Sequence, residues 1–426
     1  MSIDVLIVGN SAREHAIGWK LKQSPKVDKI YFATGNGGTR SVGENVSIPM
    51  MSLETLAQFA QEKCIDLTIA GMDDPIAGGI VDTFQARGLK IFGPSKAAAQ
   101  IEASKAFSKQ LMHDAGIPTA EFKIFSDYKQ ALKYVREKGA PIVVKASGLA
   151  LGKGVYVCTS LSRAEEALKE IMHDKVFQNA GSEVVIEEYL EGQEVSIHVF
   201  TDGTSYAMFP SAQDHKQIGE GDTGPNTGGM GVIAPVPWVT AEMMKSIEEA
   251  VVKPTLEALR LRGTPFVGVL YPGLKMTASG PKVLEFNARF GAPEAEVFMR
   301  LLKTDLVDIC EACIDGSLSM QKVEWHSGAA ATIMLASGGY PLHYEKGYVI
   351  SGIDEAEKIP GVTVFHAGTI YAEGILKTSG GRVLSVSATG NSLKEALKTA
   401  YKAADLIRFD GKYCRRDIGA KSPNDK

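Results

Sequence analysis

Cysteine is sparse: five residues in a chain of 426, an odd number thinly spread, which excludes a disulfide framework and fits a reducing cytoplasm. Cys310 and Cys313 form a CxxC, but no second CxxC or nearby histidine accompanies them. Helical spacing puts both on one face of a core helix, setting a zinc or redox role aside. No apolar run approaches the length of a membrane span. The start, MSIDVLIVGN, lacks the basic region and cleavage site of a signal peptide and reads as a first strand. Basic blocks are missing too. Lys and Arg total 46 against 50 Asp and Glu, net charge −4, which argues against a nucleic-acid partner and leaves single lysines to serve local anions. There is no internal repeat or low-complexity tract. Gly9 is followed by Asn10, Ser11 and Ala12 rather than a complete GxGxxG, so a dinucleotide site is not expected.

Glycine, by contrast, is concentrated where it can do chemistry. In VVKASGLALGKGV (143–155) a β-branched run leads Lys145 into a segment holding Gly148, Gly152 and Gly154. Glycines permit positive φ and close backbone approach, so N–H groups could face phosphate oxygens while Lys145 and Lys153 supply charge. An ordinary turn after a strand is the competing reading.

Two further segments read as strands. VVIEEYLEGQEVS (184–196) ends a buried run in Glu187, Glu188, Tyr189 and Leu190, then a glycine turn and Glu194. In KVLEFNARFGAPEAE (282–296), Glu285, Asn287 and Arg289 recur at spacing two, so a strand points all three to one face and Leu284, Phe286 and Ala288 to the core. A carboxylate and an amide oxygen suit Mg²⁺ shared with nucleotide phosphates, and Arg289 suits an anionic substrate. The same alternation also fits a half-buried strand with a solvated face.

At 44% hydrophobic and 23% charged residues the chain has core enough for several domains. Strands VLIVG, KIYFAT, LTIAG and KIFGP alternate with helical segments over the first hundred residues, a parallel α/β pattern. A boundary follows Pro94, where an Ala-rich helical stretch carries Lys105. Residues from about 120 to 190 form a small lobe. The stretch 219–231, rich in glycine, reads as an ordered substrate loop. From about His326, short strands (AATIMLAS, VTVFHAGTI, RVLSVSATG) and a helix over 392–407 give a small α+β domain. The last six residues, KSPNDK, are expected to fray.

Taken in order, the lysine and glycine segment, the Glu187 strand and the Glu285 strand resemble the ATP-grasp ligases. The match narrows to the phosphoribosylamine–glycine ligase family over nearly the whole chain, through GNSAREHA (9–16), TGNGGT (34–39), FGPSKAAAQIEASKAFSK (92–109), IPTAEF (117–122), AQDHK (212–216), DTGPNTGGMG (222–231), FNARFG (286–291), FHAGT (365–369) and RRDIGA (415–420). The resemblance implies a Rossmann-like parallel α/β domain over 1–102, an ATP-grasp domain over 103–325 with a mobile lid at about 120–190, and a C-terminal α+β domain over 326–426. It implies ATP-dependent ligation of glycine to 5-phosphoribosylamine through glycyl phosphate in purine biosynthesis. The chain would be cytoplasmic, a monomer or weak homodimer, without nucleic-acid or membrane partner.

The resemblance also assigns residues. Lys105, Lys145, Gly148, Gly152, Lys153 and Gly154 would hold the ATP phosphates. Tyr189 and Leu190 would read the adenine edge, Glu187 would accept its amino group, and Glu194 the ribose hydroxyls. Glu285 and Asn287 would hold Mg²⁺ or Mn²⁺. Gly9, Asn10, Arg13, Glu14 and Asn36 would meet the phosphoribosyl group, Arg13 as a fixed cation beside a helix N-terminus. Asp214, Lys216, Arg289, Gly291 and Glu294 would complete the substrate site. No covalent enzyme nucleophile is expected. His215 is open between general base and structural residue.

Several positions depart from the family pattern. Ser147 stands for the Asp of KADG, Ala292 and Ala295 for the Asp and Thr of FGDPET, Gln217 for a basic residue, Met72 for Pro, and Ser11-Ala12 for Gly-Gly. They keep open a related ligase with another acid or amine, and a silent nucleotide- or phosphosugar-binding regulator.

Overall fold

Residues 2–150 and 154–420 are described in the computed structural model. The first hundred residues build a parallel sheet because their strands are apolar on both faces: Val5, Leu6, Ile7 and Val8 are fully buried, the signature of a strand covered by helices on each side. Its order is Glu44–Val46, Val27–Thr34, Ile3–Gly9, Leu67–Ala70, Ile91–Phe92. Helix Ala12–Leu21 starts behind the first strand at a capping box: the Ser11 side chain accepts from the helix backbone and Glu14 reaches back to the Ser11 N–H.

The segment 122–188 forms a four-stranded antiparallel sheet in the order Phe122–Phe125, Val184–Glu188, Ile142–Ala146, Val155–Cys158. Helices Tyr128–Lys138 and Leu161–Leu168 cover it, capped by Asp127 and Ser160. Val135, Val144, Leu168 and Ile186 belong to an apolar cluster of this lobe's own.

A second antiparallel sheet centres on the long strand Val267–Thr277, which pairs with Gln193–Ser196, Val199–Asp202 and Gly280–Asn287. Its pairing with the last of these shifts register between Gly273 and Leu274, where Glu285 lies opposite Gly273 and Val283 opposite Leu274. The extra residue is Leu284. Such a bulge re-aims side chains, and Leu284 is half-buried along the cleft instead of facing the core as the alternation predicts, whereas Phe286 and Ala288 are buried.

The third sheet runs Gln213–Asp214, Gly231–Ala234, Ala329–Ala336, Arg382–Gly390, Val362–His366. Its first two strands precede residue 326, so the C-terminal strands close a sheet begun earlier. Helix Leu393–Leu406 lies on it through Ala396, Ala400, Ala403 and Ala404, all buried, an i, i+4, i+7, i+8 stripe of small residues. Cys310 and Cys313 are buried in helix Leu306–Asp315, as the core reading requires. Among the described residues no helix is long and apolar enough to cross a membrane. The expectation of a frayed KSPNDK falls outside the described residues.

Candidate active site

The parallel sheet and the three antiparallel sheets all contribute to the walls of a cleft of about 470 Å³. On the lobe side, strand Ile142–Ala146 carries Lys145, whose Nζ donates to Glu187 Oε2 (2.9 Å) and to the Leu284 carbonyl (3.0 Å). Lys109 reaches the same Glu187 oxygen at 3.1 Å. Burial pushes the Lys109 ammonium down to about 8 against the pull of Glu187. Glu187 Oε1 is buried with no hydrogen-bond partner among the described residues, a spare acceptor beside the cleft. Lys105 opens helix Lys105–Asp114, its Nζ 3.4 Å from the Gly148 carbonyl. Burial lowers its pKa, partly offset by Glu285.

The predicted phosphate-binding glycines need correction. Gly148 has no positive φ, and its N–H is already donated to the Ala180 carbonyl (3.0 Å). A Cβ on Gly148 would lie 2.7 Å from Ala180 Cα, and one on Gly154 2.8 Å from Ala150 Cβ. Close packing requires these glycines. Of the pair, only Gly154 borders the cleft; the calls on Gly152 and Lys153 lie outside the described residues. Ser147, where the family pattern has Asp, holds the helix start: its hydroxyl accepts from the Ala106 N–H (3.1 Å) and its carbonyl from the Lys105 N–H (2.8 Å).

Across the cleft, Glu285, Asn287 and Arg289 all line the cavity. Burial would raise the Glu285 carboxyl, but Lys216, Lys105 and Lys145 hold it down to about 2. Lys216 Nζ is 3.7 Å from Glu285 and 4.0 Å from Glu194. Burial opposes its charge, yet Glu285 and then Glu194 raise its pKa. Arg289 is only partly engaged, its Nε buried with no hydrogen-bond partner among the described residues. It pairs with Glu102 (2.9 Å), and its Nη2 donates to Asn287 Oδ1 (3.3 Å). Tyr189, Leu190 and Glu194 border the same space, with Lys275 on the Glu194 carboxylate at 3.3 Å.

Further along lies an acidic recess. Glu294 is buried and its Oε1 accepts from Tyr271 (2.6 Å) and Ser196 (2.9 Å). The Asp214 carboxyl, with Oδ1 buried and lacking a hydrogen-bond partner, is raised by burial and then by Glu294. Gly229 (φ +109°) sits on this group; a Cβ there would lie 2.6 Å from Asp214 Oδ1. Gly291 supports the recess from behind, donating to His198 Nε2 (3.2 Å). His215 is fully buried, its Nδ1 meets the Gly231 carbonyl (3.2 Å) and its Nε2 accepts from the Gly419 N–H (3.1 Å).

The hairpin Gln217–Gly219 and Thr223–Asn226 roofs this end. Arg415, with no exposed side-chain surface, ties it down through Asp222 (3.0 Å) and the Gln217 carbonyl (3.0 Å), while Asp417 accepts from the Gly221 N–H (2.8 Å). The near end of the 219–231 stretch is thereby tied to the C-terminal segment.

The expected phosphoribosyl residues divide. Of them Arg13 borders the cleft, beside Ser11, whereas Gly9, Asn10, Glu14 and Asn36 are not on its wall. Glu14 caps its own helix and pairs with Arg13 at 2.5 Å. Arg13 also donates to the Phe290 carbonyl (3.2 Å) and contacts Met72 Sδ (2.8 Å), so its guanidinium is held in place at the cleft edge. The Asn36 amide bridges the Asn10 and His366 carbonyls (3.0 and 2.7 Å), and its oxygen accepts from Gly38 N–H (2.9 Å). It is a buttress between distant loops. The remaining departure, Ala295, packs fully buried against the core.

Sequence reasoning missed Asp73, Glu102, Lys109, Tyr271, Tyr340 and Arg382, all on the cavity wall. Tyr271 lies two residues before Gly273, which pairs with Glu285, and had a signal, a polar residue inside an apolar run. The others are brought in by folding alone.

Sequence models of three domains of phosphoribosylglycinamide synthetase match the chain in order: the N domain over residues 3–102, the ATP-grasp (A) domain over 103–295 and the C domain over 330–421. Similar curated proteins include the phosphoribosylamine–glycine ligases of Vibrio vulnificus, 48% identical over 99% of this chain and 98% of the relative, and of Chlorobaculum tepidum, 47% identical over 98% and 99%. The crystal structure of the Thermotoga maritima phosphoribosylamine–glycine ligase has a TM-score of 0.85 at 33% identity, covering 98% and 100% of the two chains. The biotin carboxylase domain of Hydrogenobacter thermophilus 2-oxoglutarate carboxylase is alike in fold, with TM-score 0.75 at 16% identity over 97% and 92%.

Proposed function

The chain belongs to the phosphoribosylglycinamide synthetase family, and from that premise we propose how its residues carry the reaction. It is an ATP-dependent phosphoribosylamine–glycine ligase of purine biosynthesis. The observation that supports the assignment of residues is the convergence, on one cleft, of buried lysines, an ionised strand-face carboxylate and a buried acidic recess.

A carboxylate is a poor electrophile, so the glycine carboxylate must first take the γ-phosphoryl group of ATP. Lys105 and Lys145 hold the phosphates, which they can do because both are delivered from rigid element ends and balanced by Glu187 and Glu285. The adenine lies against Tyr189 and Leu190, with Glu187 Oε1 as acceptor for its amino group and Glu194 facing the ribose. Glu285 and Asn287 fit a divalent cation, Mg²⁺ or Mn²⁺: one is held ionised and both offer hard oxygens. Glu285 and Asn287 supply two ligands, and nucleotide oxygens and water would supply the rest of the shell of a bound cation. Such a cation would neutralise charge on the transferring phosphoryl group.

The Asp214 and Glu294 recess holds the glycine ammonium. The amine of 5-phosphoribosylamine then attacks the acyl carbon, its C–N bond forming as the C–O bond to phosphate breaks, giving glycinamide ribonucleotide, ADP and phosphate. An unprotonated amine needs no enzyme nucleophile. Closure of the 120–190 lobe excludes water that would hydrolyse the acyl phosphate. We place the domain divisions at 1–102, 103–325 and 326–426, and expect a cytoplasmic monomer or weak homodimer with neither nucleic-acid nor membrane partner.

The test is ADP release that depends on both glycine and phosphoribosylamine, with mass detection of glycinamide ribonucleotide. Stoichiometric product supports the reading; ADP release stimulated by another acid or amine, with none from glycine, overturns it.

A further inference from the structure

The C-terminal sheet contributes an arginine to the cleft that none of the residue assignments above use. Arg382 opens strand Arg382–Gly390 and borders the cavity alongside Asp214, Glu294 and Gln217. Its Nη1 donates to the Gly228 carbonyl and to the Ala292 carbonyl (3.0 Å). The guanidinium lies flat on Gly228, where a Cβ would come within 2.7 Å of Arg382 Cζ. Tyr340 holds the same glycine from the other side, its hydroxyl accepting the Gly228 N–H at 3.1 Å. The guanidinium is thus fixed by two carbonyls.

Those carbonyls consume one nitrogen. Among the described residues Arg382 forms no salt bridge, and its Nε and Nη2 donate no hydrogen bond. The other arginines on this cavity, Arg13 and Arg289, are each paired with a carboxylate. Position 292 explains the difference. Where the family pattern carries an aspartate, this chain has Ala292, and only its backbone oxygen meets Arg382. A side-chain carboxylate on the residue that already touches the guanidinium would compete for it.

We propose that Arg382, left without a carboxylate partner by Ala292, binds anionic oxygens of a substrate, through Nε and Nη2. A planar fork with two adjacent donors is suited to a carboxylate or a phosphate alike, and the two acceptors are the glycine carboxylate and the 5-phosphate of phosphoribosylamine. The inference rests on the ligase reading for the identity of these substrates. Arg382 also provides the positive counterpart to the acidic recess: its charge acts on both Asp214 and Glu296.

Calorimetric titration of the full-length protein with glycine and, separately, with ribose 5-phosphate, each with a non-hydrolysable ATP analogue present, tests this without requiring turnover. Arg382→Gln should weaken one of the two ligands about ten- to a hundred-fold, the range for a lost charge-assisted pair, with ATP-analogue affinity changed less than twofold. Ala292→Asp, which keeps the arginine and supplies a rival carboxylate, should weaken the same ligand. Weaker glycine identifies the carboxylate, weaker ribose 5-phosphate the phosphate. If both variants bind both ligands as the unaltered protein does, or if all three ligands weaken together with the melting temperature, Arg382 is a clamp on Gly228 and the proposal falls. Absence of glycinamide ribonucleotide from the unaltered protein would instead remove the ligase reading while leaving a selective binding loss intact.

Discussion

Glu285 sits among three lysines and keeps its charge because of them. Glu285→Ala should cut kcat by ~100-fold or more, as removal of a charge-placing group at a phosphoryl-transfer site does, with little change in thermal stability. Activity and metal dependence equal to the unaltered protein would refute its role. Its neighbour in sequence space, Glu296, behaves oppositely. Fully buried on helix Glu294–Leu301, with Ser385 donating to Oε1 (3.3 Å) and Oε2 unpartnered, it is raised by burial to about 7 in spite of Arg382. The folded protein therefore binds a proton there that the unfolded chain has released between about pH 4.5 and 7, and stability falls as pH rises through that window. Glu296→Gln should remove this slope, gaining roughly 3 kcal/mol relative to the unaltered protein between pH 4.5 and 8. Denaturant titrations at the two pH values measure it; an equal difference at both would sink the assignment. The strand spacing of Glu285, Asn287 and Arg289 was legible because period two survives folding. The pairing of Arg289 with Glu102 was not, since those residues are far apart in sequence and meet only in the packed core.

At the scale of elements, the start of helix Lys105–Asp114 is bound to the end of strand Ile142–Ala146 through Ser147. Ser147→Ala removes one acceptor for an N-terminal N–H and should cost about 1 kcal/mol. Because the same junction sets Lys105 and Lys145, the KM for ATP should rise several-fold while that for glycine holds. A matched rise in both would show that the junction does not act through the lysines alone. Most strands and helices could be read from alternation and caps, including Leu393–Leu406 to within a residue at each end. Two things escaped. The bulge at Leu284 depends on register against Val267–Thr277, which no single segment encodes. The glycines of 148 and 154 looked like phosphate ligands because loop composition does not reveal that Ala180 and Ala150 crowd them.

For the whole molecule, strands on both sides of residue 326 share one sheet, with Gly231–Ala234 paired to Ala329–Ala336. A fragment ending at residue 325 keeps Asp214 but lacks the strand that Gly231–Ala234 pairs with, and should resist folding as a soluble unit, since Val232, Ile233 and Ala234 would be left on an uncovered edge. Circular dichroism and proteolysis of that fragment check this; a cooperative, protease-resistant fragment would show the boundary to be a true division. Composition and local pattern indicated three regions, but edge sharing between them is a long-range property. The fastening of the 217–226 hairpin by Arg415 and Asp417 has a further consequence for the making of the protein. As the chain leaves the ribosome, the residues that line the nucleotide side of the cleft emerge well before the two that fasten the roof over the recess. Until Arg415 and Asp417 have emerged, the hairpin over the recess is without its anchors, whatever the earlier segments have already done.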